Sequence, residues 1–261
     1  MSQIIKTHIY NDNTFFDSYL KTTTEKLHFI NCFLKKSQNK HIDSILDLGS
    51  FDGSLFLRLI IELLNNNFSI KNLSAVEPSL IPINKMKEAI LHSETLSKIQ
   101  WNIHNEPMEI FLSNHTQLYD WVIASHSLYW MNDLDWILNK ILSLSKNGVI
   151  VIRDNSLLYA LESKYRPLMT QKKKKQYSSQ NIIDFFDQNN IPYLVDKFEA
   201  SMTIPEINSI EFKNLVGFLL DLTLVELDEG LFPSIYSDMN IAHNKTSYSI
   251  DMIWFGDVLK I

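Results

Sequence analysis

Short apolar runs alternate with longer stretches of helical periodicity through the first 155 positions of the chain. Residues 44–50, SILDLGS, form an apolar run closed by Gly49, with the length and flanks of a buried strand. Residues 54–67, SLFLRLIIELLNNN, follow at helical length with Ser54 near the start. The alternation repeats: a strand over 73–79, a helix over 80–98, strands over 99–103 and 119–125, a helix over 132–146 and a strand over 147–154. Asn132 or Asp133 is the expected cap of the 132–146 helix, and Gly148 its stop. Upstream, residues 14–36 place Phe15, Tyr19, Leu27, Phe29, Ile30 and Phe33 at helical spacing, which predicts one or two helices.

Strands that alternate with helices imply βαβ units, a mostly parallel sheet and helices on both of its faces. The rhythm changes after Asn155. Residues 157–190 read as largely helical, 192–204 as one or two strands and 205–229 as a further helical block. At 247–255, strict alternation puts Tyr248, Ile250, Met252 and Trp254 on one face of a strand. The fold class expected from this pattern is α/β, with helices on both faces of a mostly parallel sheet.

Composition changes this picture only by exclusion. With 45% hydrophobic and 21% charged residues, the 261-residue chain has enough apolar content for a full core. Its net charge of −6 argues against a nucleic-acid binder, which needs cations to displace counterions. The single Cys32 excludes an internal disulfide framework, and neither it nor the eight histidines show metal-ligand spacing, so no metal is expected. The first residues lack the apolar run of a signal peptide, and no stretch approaches a span of about 18 apolar residues. The expectation is a soluble, cytoplasmic protein with no membrane partner.

The candidate chemistry begins with two of the chain's six glycines, Gly49 and Gly53, which fall within five residues. In 45–53, ILDLGSFDG, a strand delivers Asp47 and Gly49 to its carboxyl end, and the chain turns into a helix after Gly53. Ligands of open parallel sheets bind beyond such ends, and the N–H groups of a helix start suit an anion. The bland alternative is a tight turn that needs glycine for positive φ. Glu77 closes the second strand, where a carboxylate can accept both hydroxyls of a ribose.

Taken together, 45–53, 75–79 (AVEPS), 119–133 (YDWVIASHSLYWMND) and 147–155 (NGVIVIRDN) resemble, in order and spacing, the class I methyltransferases that use S-adenosyl-L-methionine. The resemblance covers most of residues 40–155. It implies a Rossmann-like, seven-stranded mixed sheet with helices on both faces and a helical substrate cap, and methyl transfer with S-adenosylmethionine as cofactor. The first loop, with Asp47, Gly49, Ser50, Phe51 and Gly53, would face its methionine part. Glu77 and Pro78 would face the ribose, and Ser125 and His126 the methyl group. The family's loop often reads D-x-G-x-G-x-G, and Phe51 stands here in place of the middle glycine. A nicotinamide enzyme would show G-x-G-x-x-G, which is absent from this loop.

The outer segments, 22–36, 162–167, 176–193, 198–204 and 244–255, resemble the histamine N-methyltransferase group. That resemblance implies one domain over 1–261: a helical lid at 1–40, a cofactor-binding core at 41–155, a substrate cap at 156–240 and a C-terminal strand at 241–261. It also implies a small-molecule acceptor, a nitrogen of an aromatic or imidazole-type amine. Glu25 would meet an ammonium, Tyr10 would stand near an aromatic lid and Asn244 would make a polar contact; Tyr129 and Trp130, read from the residues themselves, are core or wall aromatics with a substrate contact as the lesser reading. His126, the candidate catalytic residue, replaces an amide side chain of that group. Glu25 also reads as a simple helix acid, and Tyr129 and Trp130 as core aromatics. The rival functions are an O- or C-methyltransferase of a specialised pathway and a catalytically silent S-adenosylmethionine-fold binding protein. Oligomeric state is left open.

Overall fold

The computed structural model describes Tyr19 and residues 21–38, 40–170 and 175–260; Tyr10 lies outside them. Seven strands form one sheet: β1 (Ser44–Leu48), β2 (Asn72–Val76), β3 (Gln100–His104), β4 (Tyr119–Ser125), β5 (Ser145–Arg153), β6 (Tyr193–Thr203) and β7 (Lys245–Gly256). Their spatial order is β3-β2-β1-β4-β5-β7-β6. The first five pair in parallel, and β7 runs antiparallel to β5. The parallel part is that expected from the alternation of apolar runs and helices, and the whole is the seven-stranded mixed sheet that the methyltransferase resemblance implies.

Among the described residues the α-helices are α1 (Glu25–Ser37), α2 (Ser54–Asn65), α3 (Leu80–Leu91), α4 (Met108–Asn114), α5 (Leu134–Leu144), α6 (Leu157–Met169), α7 (Ser179–Gln188), α8 (Ile210–Leu220) and α9 (Phe232–Asp238). The chain divides into two compact units. The larger comprises residues 26–154, 175–198 and 250–261. In it α4, α5 and α7 bury Phe111, Ile137, Leu138, Ile141 and Phe186 with sheet residues such as Leu46, Val122 and Ile150. A separate aromatic group joins Phe33 of α1 to Trp121 of β4 at 4.6 Å between ring centroids, and Trp121 meets Trp254 of β7 edge-on at 6.0 Å. Burying such side chains stabilises the fold by about 1.5–3 kcal/mol each relative to exposure.

The smaller unit comprises, of the described residues, Tyr19 and residues 21–25, 155–170 and 199–249. In it Tyr165 and Lys164 of α6 both donate to Asp238 of α9, at 2.7 and 2.5 Å. Residues 22–24 bridge the end of β6, with the Thr24 N–H on the Ser201 carbonyl at 3.2 Å. Among the described residues, no helix is long and apolar enough to cross a membrane.

Several boundaries differ from the sequence expectation. Asp133 is the cap of α5, its carboxylate accepting the Trp136 N–H at 2.9 Å. Gly148 is not the stop of that helix. It lies inside β5, opposite Phe255 of β7, where a β-carbon would come within 2.0 Å of the Phe255 ring. The glycine therefore makes room for an aromatic side chain on the neighbouring strand. The helix expected over 80–98 breaks at Leu91 and resumes only as a 3-10 turn at Leu96–Lys98. Helices α4 and α9 were not anticipated, each having only seven residues and starting beside a proline, Pro107 or Pro233. The alternation in β7 gives way to continuous burial from Ile250, because the strand lies between β5 and β6.

Gly148→Ala should destabilise the protein by about 1–3 kcal/mol through overpacking against Phe255, measured by urea unfolding. The cost should shrink in a Phe255→Leu background. An unchanged midpoint for the single variant would contradict this role of Gly148.

Candidate functional site

The connection from β1 leads to β2 on one side, and that from β3 leads to β4 on the other side of β1. Such a reversal opens a crevice beyond the carboxyl ends of the two central strands, the usual ligand position of an open α/β sheet. Asp47, the glycine loop, Glu77 and the residues after β4 all stand at this edge.

The loop between β1 and α2 is wound through three left-handed residues: Gly49 at φ 82°, Phe51 at 49° and Gly53 at 73°. Phe51 thus follows the path that a glycine would take, despite its side chain. Such a conformation costs roughly 1–2 kcal/mol for a residue with a β-carbon. What holds it is Glu77, whose Oε2 accepts the Phe51 N–H at 3.0 Å while Oε1 accepts the Ser79 N–H at 2.8 Å. The Gly49 and Ser50 N–H groups both end on the Val76 carbonyl, at 2.9 and 3.1 Å. Asn105 fixes the same turn from the end of β3, its amide donating to the carbonyls of Glu77 and Pro78 at 3.0 and 2.9 Å.

These bonds revise the expectation of open donors for an anion. The N–H of Gly53 donates to Ser50 and that of Ser54 to the Asp52 carboxylate, so residues 49, 50, 51, 53 and 54 are all engaged within the edge. Asp52 also sets a negative charge at the start of α2, which disfavours a second anion there. The open polar group is one that sequence reading missed. Ser127 Oγ is buried with no hydrogen-bond partner among the described residues. Ser127 also explains Gly49: a β-carbon on Gly49 would lie 2.3 Å from Ser127 Cβ. Gly49 is thus demanded by the approach of two loops as well as by its φ. Nothing in the local sequence around Ser127 marked it, because its significance comes from that approach.

The electrostatics are those of two buried acids. Burial pushes the Asp47 carboxyl up to about 7, with the nearby Glu77 adding to the rise and a Ser50 hydrogen bond opposing it. Burial also raises Glu77, against the pull of the Ser79 and Phe51 N–H groups.

At the end of β4, Ser125 is half-buried and His126 turns the chain with φ 54°. The His126 N–H donates to the Val151 carbonyl at 2.8 Å, and its Nδ1 bonds the Tyr129 hydroxyl. Tyr129 is buried, one of the two placements read from the sequence, and it braces His126 from within the core. Trp130 is half-buried against the same core. Glu25 belongs to the smaller unit, where its carboxylate accepts the hydroxyls of Tyr19 and Tyr248 at 2.7 and 3.1 Å. Burial and the Glu25 charge push the Tyr248 hydroxyl well above the ordinary tyrosine range. Asn244 is exposed in a two-residue turn with His243, both left-handed at φ 59° and 51°. A type I′ connection needs that geometry, which accounts for the asparagine without a ligand. Among the described residues, no group of three or more His, Cys, Asp or Glu is placed to hold a metal.

No protein-family profile matches the chain, and no curated protein sequence matches it. Solved structures do. The mycolic acid cyclopropane synthase CmaA1, complexed with SAH and CTAB, superposes with a TM-score of 0.58 at 12% identity, covering 96% of this chain and 95% of that one. A provisionally assigned methyltransferase from Bacillus halodurans C-125 gives 0.59 at 10% identity, covering 87% and 97%. Magnesium protoporphyrin IX methyltransferase (ChlM) from Synechocystis PCC 6803, with bound SAH, gives 0.52 at 11% identity, covering 88% and 80%. At these identities the likeness is one of fold, and the fold is that of the Rossmann-like methyltransferases.

A pH test follows from Asp47. A carboxyl with a raised folded pKa favours folding while it keeps its proton, so its burial is penalised progressively as pH climbs from about 4 to about 7. Asp47→Asn should therefore gain on the wild type between pH 5 and pH 8, by up to a few kcal/mol at about 1.4 kcal/mol per unit. Urea unfolding at both values reads the gap, and a gap that does not widen would contradict a buried, proton-holding Asp47.

Proposed function

We propose that the protein transfers a methyl group from S-adenosylmethionine to a small-molecule acceptor. The observation that carries this reading is the loop after β1, held in its left-handed path by the Glu77 carboxylate at the switch point of the sheet. The fold supports it, as does SAH in the structures of CmaA1 and ChlM.

The residues present fit the group. Each Glu77 oxygen accepts one backbone N–H, and a carboxylate has about four acceptor sites, so two ribose hydroxyls can still be received. The Ser127 hydroxyl offers the hydrogen bond that the engaged loop N–H groups do not. Asp47 and Glu77 place two buried carboxyls at this edge, and a cationic ligand there would draw both toward ionisation. Ser125 and His126, closing β4, are assigned to the side facing the methyl group, with Gly49, Ser50, Phe51 and Gly53 lining the methionine part and Pro78 the ribose.

S-adenosylmethionine held by these residues would supply a methyl group activated by its sulfonium, open to the acceptor's lone pair with the bonding pair of the methyl–sulfur bond returning to sulfur. The chain's work is then alignment and exclusion of water, which can contribute about 7–11 kcal/mol over an unassisted encounter. The acceptor proposed is a nitrogen of an aromatic or imidazole-type amine, on the resemblance of the outer segments to the histamine N-methyltransferase group. A neutral nitrogen attacks without prior loss of a proton, so this site needs no strong base.

Calorimetry with S-adenosylhomocysteine should show saturable binding, with little for NAD. Glu77→Ala should lower that affinity at least tenfold. It should also destabilise the free protein by about 1–3 kcal/mol, because the Phe51 and Ser79 N–H groups lose a charged partner. Unchanged affinity would remove Glu77 from the site, and preference for NAD would overturn the reading. A panel of amines, imidazoles, phenols and carboxylates, assayed for S-adenosylhomocysteine release, tests the acceptor. Turnover of phenols or carboxylates with no amine would refute nitrogen.

A further inference from the structure

Two histidines of the larger unit stand together where β3 and α4 end. The His104 and His115 rings meet nearly at right angles, their planes 83° apart and their centroids separated by 4.9 Å. Phe111 backs both rings. It stacks on His115 at 3.9 Å and 18°, and meets His104 edge-on at 4.8 Å. Phe111 is fully buried and both imidazoles are half-buried, so a fixed wall holds two rings that solvent still reaches. All of α4 separates the pair along the chain, which is why neither histidine shows ligand spacing in the sequence.

Each ring is anchored through the same nitrogen. His115 Nδ1 lies 2.9 Å from the Phe111 carbonyl, which can only accept, so the proton of the neutral ring sits on Nδ1. His104 Nδ1 faces the Glu106 carboxylate at 3.5 Å, an anion that also only accepts. Both rings then carry their lone pair on Nε2. Metal-bound histidines have this arrangement, with one nitrogen on the ion and the other donating to a carboxylate or a backbone carbonyl. The ring spacing agrees. With Zn–N bonds of about 2.0–2.1 Å and a tetrahedral angle, two imidazoles on one ion have centroids roughly 5 Å apart. Burial and the neighbouring His115 hold His104 below the ordinary histidine range, against the pull of Glu106, which favours the neutral, ligating form.

We propose that His104 and His115 form a two-nitrogen site for a divalent transition-metal ion that prefers imidazole, such as Zn²⁺ or Cu²⁺, bound through both Nε2 atoms and tying the end of β3 to the end of α4. Two protein ligands are fewer than a closed structural zinc site uses, so water completes the coordination. The site lies outside the residues assigned to S-adenosylmethionine and does not depend on methyl transfer. Its link to that edge runs through the backbone. The His104 carbonyl accepts the Glu77 N–H at 3.0 Å, and the next residue, Asn105, donates to the carbonyls of Glu77 and Pro78. An ion that fixes His104 therefore stiffens the strand end from which the Glu77 turn hangs.

Calorimetry of the untagged, chelator-treated, full-length protein with Zn²⁺ tests the site without any activity. One saturable Zn²⁺ per chain is expected. His104→Gln and His115→Gln should each weaken it by about tenfold or more, since loss of a ligand costs at least as much as loss of its outer partner. His92→Gln is the control and should leave the affinity unchanged. Its Nδ1 is anchored on the Glu88 carbonyl at 2.8 Å in the same way, but that ring is exposed and outside the pair. Urea unfolding gives a second reading: saturating Zn²⁺ should raise the midpoint of the wild type and of His92→Gln, and not that of the other two variants. Electron paramagnetic resonance with one equivalent of Cu²⁺ should show coupling to two imidazole nitrogens in the wild type. No saturable Zn²⁺ binding by the wild type overturns the proposal, as does binding undiminished in both His104→Gln and His115→Gln. A wild-type Cu²⁺ spectrum with one coupled nitrogen or none overturns the pairing, and this spectrum decides even if a variant does not fold.

Discussion

Two backbone N–H groups from separate turns end on one side chain, the Glu77 carboxylate, and the shape of the ligand edge depends on that convergence. The parallel register sets Leu48 beside Val76, so the chain leaves both strands at the same level and the acid meets the loop. Phe51 could not hold a left-handed turn on its own preference, since its β-carbon is penalised there. A charge-assisted bond, worth about 1.5–3 kcal/mol, is of the size needed to offset that strain. The burial that raises Glu77 also makes the bond stronger, because water does not compete for it.

This arrangement separates two tasks that glycine alone usually performs. Gly49 admits a neighbouring loop, since any β-carbon there would run into Ser127. Gly53 makes the last left-handed step into α2 and lies so close to Met86 of α3 that a β-carbon would come within 2.6 Å of its side chain. Between them, Phe51 is held by hydrogen bonding and not by the absence of a side chain. Across the crevice His126 repeats the device, a left-handed residue with a side chain, kept in place by its own N–H and by Tyr129.

Much of this was legible in the sequence for a simple reason. Four of the five parallel strands, β1, β2, β4 and β5, are largely buried and appear as short apolar runs, whereas β3 is the partly exposed edge strand and is read with them from the order of strands and helices. Asp47, Gly49, Gly53, Glu77 and His126 stand at the ends of those runs, so finding the strands found the edge. What stayed hidden depends on contacts between distant positions. Gly148 reads as a helix stop until Phe255 is set across from it. Ser127 and Tyr129 gain their roles only from Gly49 and from His126 and Arg153. Asn244 invites a functional reading because asparagine is polar, whereas its backbone angle is what the fold uses. Glu25 is drawn into a tyrosine cluster that no spacing in the chain foretells.

The central claim is that the left-handed loop and Glu77 form, together, the seat of the cofactor. A crystal structure of the protein grown with S-adenosylhomocysteine tests it most directly. The account predicts both ribose hydroxyls within hydrogen-bonding distance of the Glu77 carboxylate, with Phe51 still left-handed and its N–H still on Glu77, and the amino-acid part beside Ser127. S-adenosylhomocysteine bound away from this edge, or a loop rebuilt so that Glu77 releases Phe51, would contradict it.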